Sequence, residues 1–258
     1  YTAALAKTRR DAGGLVKQKG FAKSKFEILA MLMKLRQISS KSKVEPFLEQ
    51  LTSAIEGGHK ILLAGVNYLG KYLGAENKAR EASAWIDEKF ARIDDIVATI
   101  PESERKTALL MGGELGRIAG NDMLQSWMIE KAGGICVADT GEDHSWINVG
   151  VEKVFEYDPE YLFCTSSTML DYTKEELMED KTWSAMQAVA DDHIYVMPAR
   201  IDSWDMPGLS AVLGCFYMLY RMYPDYLSEE ELRQEIDDYY NFMFGKTFDQ
   251  ETLNYSLD

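Results

Sequence analysis

Four residues of this chain have side chains suited to holding a ligand: Arg117, Trp146, Arg200 and Trp204. Arg117 follows Met111-Gly112-Gly113, Trp146 precedes Ile147-Asn148, and Arg200 and Trp204 share the stretch PARIDSWDMP at 198–207. Aromatic faces suit flat apolar ligands, and guanidinium groups suit carboxylates or chelated charge. A second reading fits the same residues: the two tryptophans close a core at the rim of a sheet, and Arg117 is a solvated loop residue. His144, beside Asp143 and near Asp139, is placed to touch a metal-chelate, whereas His193 opens a strand and reads as structural. Neither histidine has a partner at metal-ligand spacing, so no resident metal or cofactor is expected. No nucleophile–base pair is readable, Ser166-Ser167-Thr168 reads as a polar loop, and the chain is not expected to be an enzyme.

The stretch GHKILLAGVNYLGKYLGAENKA, residues 58–79, approaches a phosphate-binding loop and misses by one residue. That loop needs a Ser or Thr hydroxyl after its lysine to ligate magnesium. Tyr72 stands there instead, and Val66-Asn67-Tyr68-Leu69 fill the loop interior with bulk. Leu69, Tyr72 and Leu73 share one helical face, which makes a helix the simpler reading.

Charge is unevenly distributed along the 258 residues. Residues 1–64 hold 12 Lys and Arg against 5 Asp and Glu, a net of +7, while residues 65–258 carry a net of −21. An acidic body of this size repels nucleic acid and anionic membrane, so only residues 1–64 suit a phosphate backbone. No run of 18 apolar residues occurs, which predicts no membrane-spanning helix. The opening residues do not read as a signal peptide. Cys136, Cys164 and Cys215 lie in apolar runs without C-x-x-C spacing and are expected to be buried free thiols.

The elements that must position these side chains are legible in the hydrophobic pattern. Residues 1–57 read as helical, with stripes over Phe26–Ile38 and Val44–Ile55; Gly57-Gly58 stops them, and KILLAG reads as a short buried strand. A long amphipathic helix is expected over about 75–99, ended by Pro101. Strands are then predicted at Thr107–Met111, Gly134–Ala138, Tyr161–Thr165 and His193–Met197, with helices around 121–132, 150–157, 173–189, 206–222 and 228–244. This alternation predicts an α/β lobe with a parallel-type sheet of about four strands. Ligands of such sheets bind beyond the carboxyl ends of the strands, here 112–120, 139–148, 166–172 and 198–208.

Four stretches carry a family resemblance: LGKYLGAENKAREASAWIDEKFARI, EKAGGICVADTGEDHSWINVGVEKVFEYDPEYLF, WSAMQAVADDHIYVMP and ELRQEIDDYYNFMFG. Through them, residues 65–258 resemble the carboxyl-terminal lobe of the solute-binding proteins that serve ABC importers of iron-siderophores, haem and cobalamin. The resemblance implies a Rossmann-like lobe at 101–258, a long connecting helix within 65–100, and a ligand held in a cleft against a second lobe. It implies an ABC permease and a metal-chelate as partners, and a periplasmic or extracellular place of action. It further implies that Glu152, at a helix amino end, faces outward and pairs with transporter arginines. The dipole of the helix favours a surface carboxylate at that place in any case. The family carries an amino-terminal lobe before the long helix, which residues 1–64 do not resemble. Through AKSKFEILAMLMKLRQI and SKVEPFLEQLTSAIEGGHKILL those residues instead resemble a fragment of Swi/Snf-type helicase ATPases, without any ATP-binding motif. The expectation is therefore a composite joined near 63–66, with a nucleic-acid-dependent ATPase fragment, or a chimera without activity, as the alternatives.

Overall fold

The computed structural model describes residues 73–141, 146–166, 169–199 and 201–247, together with Lys7, Val66, Asn67, Gly70 and Lys71. The chain divides into two compact units, Tyr1–Glu56 and Gly57–Asp258. The helices expected over 1–57, the KILLAG strand, most of the near-miss phosphate loop, His144 and Arg200 lie outside the described residues. Among the described residues no helix is long and apolar enough to cross a membrane.

The second unit is a sheet with helices on both faces. Its strands are β1 (Thr107–Met111), β2 (Arg117–Ala119), β3 (Ile135–Cys136), β4 (Trp146–Asn148), β5 (Tyr161–Cys164) and β6 (Ile194–Val196). Their order is β4-β2-β1-β5-β6, with β3 also paired to β1. β1 and β5 are buried along nearly their whole length, as continuous apolar runs in a two-sided sheet should be. Their alternation sorts the core. Ala108, Leu110, Tyr161 and Phe163 face one cluster, while Leu109, Met111, Leu162 and Cys164 face the other.

The helices are α1 (Glu76–Val97), α2 (Leu124–Lys131), α3 (Gly150–Tyr157), α4 (Lys174–Glu179), α5 (Gln187–Ala190), α6 (Ala211–Met222) and α7 (Glu229–Phe244). The first cluster packs α1, α2, α6 and α7 on one face; the second packs α3, α4 and α5 on the other. Cys164 and Cys215 are buried, and burial pushes the Cys164 thiol up to about 12. Cys136 is half-buried, not fully enclosed as its apolar run suggested.

Three expectations are corrected. Among the described residues the sheet has six strands, not about four, and is mixed: β2 pairs antiparallel with both β1 and β4, whereas β1 pairs parallel with β3 and β5. The two antiparallel strands are three residues long, too short to show an alternation in sequence. The helix expected over 173–189 is broken into α4, a 3-10 turn at Trp183–Ala185, and α5. Asp180 causes the break: its carboxylate accepts from the N–H groups of Thr182 and Trp183, which competes with continuing the helix. The helix expected from 206 starts at Ala211, because Pro207-Gly208 stays outside it.

Helices α1 and α7 are clamped by charge as well as apolar contact. Glu235 has a fully buried side chain and pairs with Lys89 at 2.6 Å and with Arg92. Lys89 also reaches Asp238 at 3.1 Å, and Arg92 reaches Glu231 at 3.5 Å. Ser228 and Glu231 close a reciprocal capping box that starts α7, and Gly245, in the left-handed region, ends it. Without Glu235, Lys89 keeps Asp238 and Arg92 keeps Glu231, so the loss is that of two charge-assisted contacts and not of a stranded charge. Glu235→Ala should therefore lower unfolding free energy by about 1–3 kcal/mol in urea titration. A loss below about 1 kcal/mol, as for an exposed pair, would contradict this.

Candidate ligand-binding edge of the sheet

The carboxyl ends of β1, β5 and β6 meet at one edge, and backbone contacts hold their loops together. β1 is flanked on one side by two partners in succession. β3 pairs with Thr107 and Ala108, and β2 pairs with Met111, the last residue of the strand. The short ribbon of β2 and β4 is thus added at the carboxyl end of β1. It turns back through Gly112, whose N–H donates to the Arg117 carbonyl at 2.6 Å.

This turn needs glycine. A methyl group at Gly112 would stand 2.9 Å from the Trp146 ring, and one at Gly113 would stand 2.3 Å from the Met169 carbonyl oxygen. The loop after β5 is fastened there: the Asp171 N–H donates to the Gly113 carbonyl at 2.9 Å, and the Tyr172 hydroxyl donates to the Gly112 carbonyl at 2.9 Å. On the other side, the Val149 N–H donates to the Gly116 carbonyl at 2.9 Å, which brings the start of α3 against the same turn.

The loop after β6 is anchored from beneath. Trp204 is fully buried and packs edge-on against Tyr217 of α6. A methyl group at Gly214 of that helix would stand 2.3 Å from the Trp204 carbonyl oxygen. Asp205, also fully buried, accepts at its carboxylate from the Thr165 hydroxyl at the end of β5, and Gln125 of α2 donates to its backbone carbonyl at 2.7 Å. Ser203 reaches the buried Ser166 at 3.4 Å, which joins the two loops.

The residues expected to meet a ligand are placed differently from one another. Arg117 lies in strand β2, not in a loop, with its guanidinium 3.6 Å from Glu114 and its side chain part-exposed. Trp146 lies in strand β4, not in a loop; it is half-buried, with its ring over Gly112. The pairing of β2 with β4 brings these two residues to one ribbon. Trp204 supports the β6 loop from inside the core and turns no face outward. His193 stacks on Tyr161 at 4.4 Å, a structural place as expected. Glu152 is exposed in the first turn of α3.

The residues that the sequence reading passed over are apolar. Leu115, Met169 and Ile201 follow β1, β5 and β6 and are 42%, 50% and 44% exposed. Other large apolar side chains, among them Leu73, Ile135 and Phe244, are exposed elsewhere, and what sets these three apart is that each follows a strand at the same edge of the sheet. Their signal in sequence was only their position after a strand end. Beside them, Leu115, Asp171, Tyr172, Leu177 and Trp183 line a pocket of about 320 Å³.

The geometry is that of an α/β lobe whose loops gather at the carboxyl ends of its strands, and the comparisons with known proteins agree on the fold. The periplasmic binding protein family model matches residues 62–201, and the chain belongs to that family. The molybdate-binding protein MolA of Haemophilus influenzae is 20% identical over 224 residues, 86% of this chain and 61% of MolA. A periplasmic solute-binding protein from Veillonella parvula superposes with a TM-score of 0.64 at 22% identity, over 74% of this chain and 58% of the other. The Helicobacter pylori protein CeuE, in a nickel–histidine complex, superposes at 0.61 with 17% identity, over 74% of this chain and 59% of the other. The chain thus spans about three-fifths of the length of these relatives. The match to MolA covers more of the chain than residues 65–258 contribute, so it runs into residues 1–64. The helicase resemblance of that segment finds no support in these relatives.

Burial raises the Asp205 carboxyl above its ordinary value of 3.8, only partly offset by hydrogen bonds from Thr165 and from the backbone of Asp205 and Ser166. An acid whose folded pKa is raised binds its proton more tightly when folded. Its contribution to stability therefore falls as pH rises from the unfolded value through the folded one. Asp205→Asn, which keeps an acceptor for Thr165, should remove that slope. The difference in Tm between variant and parent should move in the variant's favour from about pH 4 to about pH 7; a constant difference would show that the carboxyl is not ionised at a cost.

Proposed function

We propose that the chain is the substrate-binding component of an ABC importer, acting in the periplasm or at the extracellular face, with a metal-chelate as its solute. The observation that carries this reading is the edge itself: three exposed apolar side chains and a part-exposed tryptophan, held by tight backbone contacts at the carboxyl ends of the strands, in a chain of the periplasmic binding protein family. Apolar walls with a few placed polar groups are what a small-molecule site requires. Trp146 and Arg117 are the proposed contacts from the ribbon. The Trp146 ring meets an apolar face, and the Arg117 guanidinium donates to ligand oxygens. Arg200 belongs to the same loop as Ile201 and is proposed as a third contact, and Trp204 holds that loop from below. The work done is binding and presentation; no bond is made or broken. Titration of the purified chain with a ferric trihydroxamate, haem and cyanocobalamin, followed by tryptophan fluorescence, should give saturable binding to at least one, at roughly micromolar Kd or tighter. Absence of saturation by all three would remove the metal-chelate reading.

Glu152 is proposed to meet the permease. It sits in the first turn of α3, whose start is fastened to the Gly116 turn of the ligand edge, so a partner touching Glu152 lies beside the bound solute. An exposed charge at such a rim tunes association and orientation more than affinity. Glu152→Ala should leave unfolding free energy within about 0.5 kcal/mol and solute affinity unchanged. It should lower uptake in cells carrying the full-length protein and its permease. Unchanged uptake would contradict the assignment.

A further inference from the structure

The loops that form the ligand edge carry a charge that the proposed function does not use. Among the described residues of the segments after β1, β3, β5 and β6, four carboxylates, Glu114, Asp139, Asp171 and Asp202, are exposed, against one guanidinium, Arg117. Glu114, Asp171 and Asp202 are exposed in the same loops that expose Leu115, Met169 and Ile201. Each parallel strand end among these three thus presents one carboxylate and one large apolar side chain. Arg117 stands 3.6 Å from Glu114, so its charge is already partly matched within the chain.

We propose that this edge selects a chelate of zero or positive net charge with an apolar periphery, and rejects free oxyanions and polyanionic chelates. The inference rests on the solute-binding reading and narrows it. An oxyanion is bound by converging hydrogen-bond donors and positive charge, and a trianion brought within about a Debye length of three carboxylates is repelled by each of them. Apolar side chains give an oxyanion nothing in exchange for its lost hydration. A neutral hexadentate chelate loses little hydration, and its hydrocarbon linkers cover Leu115, Met169 and Ile201. The relative MolA carries the word molybdate in its name, so the inference separates this chain from that relative by ligand charge.

Calorimetric titration of the same chain with a neutral ferric trihydroxamate, an anionic ferric tris-catecholate and sodium molybdate tests it. The expected order is trihydroxamate tightest, tris-catecholate weaker by at least about tenfold at about 0.15 M salt, and no heat from molybdate. The variant Glu114→Gln/Asp171→Asn/Asp202→Asn should raise tris-catecholate affinity and leave trihydroxamate affinity within about twofold. Met169→Glu, which removes an apolar contact and adds a carboxylate, should weaken the trihydroxamate and weaken the tris-catecholate further. Molybdate or tris-catecholate binding as tightly as the trihydroxamate would overturn the inference while leaving the solute-binding reading intact. Binding of none of the three would overturn the inference, and the solute-binding reading falls with it only if haem and cyanocobalamin also fail to bind.

Discussion

The structure depends on how closely the backbone approaches itself at the carboxyl end of β1. Four glycines make this approach. Gly112 lies under the Trp146 ring, Gly113 lies against the Met169 carbonyl, and Gly116 crosses Gly150 with both residues in the left-handed region. A side chain at Gly112, Gly113 or Gly116 would push apart the elements that meet at this turn, and Gly150 is needed for its positive φ. Only glycine has no such side chain, and only glycine adopts positive φ without strain. Because this turn is tight, the β2–β4 ribbon continues the sheet where a plain parallel lobe would end. The loops after β1 and β5 then become one surface.

The β6 loop is held by a different device. Trp204 and Asp205 are buried together, one by packing and one by hydrogen bonds to Thr165 and Gln125. Burying a carboxylate is costly, and the raised Asp205 pKa is the mark of that cost. In return, strand β5, helix α2 and the β6 loop are tied at one point, directly under the residues that face outward. The outer surface can therefore be apolar and acidic without needing contacts of its own to keep its shape. Rigid support beneath a variable surface is the usual arrangement of a binding site.

Much of this was legible in the sequence, and the boundary of legibility is physical. The long helix, expected over 75–99 and found at Glu76–Val97, showed because its apolar positions recur every three or four residues and Pro101 ends it. β1 and β5 showed because strands buried on both faces are unbroken apolar runs. β2 and β4 did not show, since three residues carry no period and their pairing is set by the glycine turn. Arg117 and Trp146 were singled out by type, yet read as loop residues for the same reason. Trp204 stood out as an aromatic in a polar loop, but one residue type serves both a ligand face and a core. Gly214 marks the close contact that buries Trp204, and a lone helical glycine does not announce its partner. Leu115, Met169 and Ile201 escaped notice because an apolar residue after a strand reads as core until its exposure is seen.

The central claim is that solute is held at the carboxyl edge of this sheet. Amide hydrogen exchange, compared with and without a saturating ferric trihydroxamate, tests it most directly. The account predicts slowed exchange in segments 112–117, 166–171 and 201–206, with the α1 and α7 amides unchanged. Protection confined to those two helices, with the three loops unaffected, would contradict it.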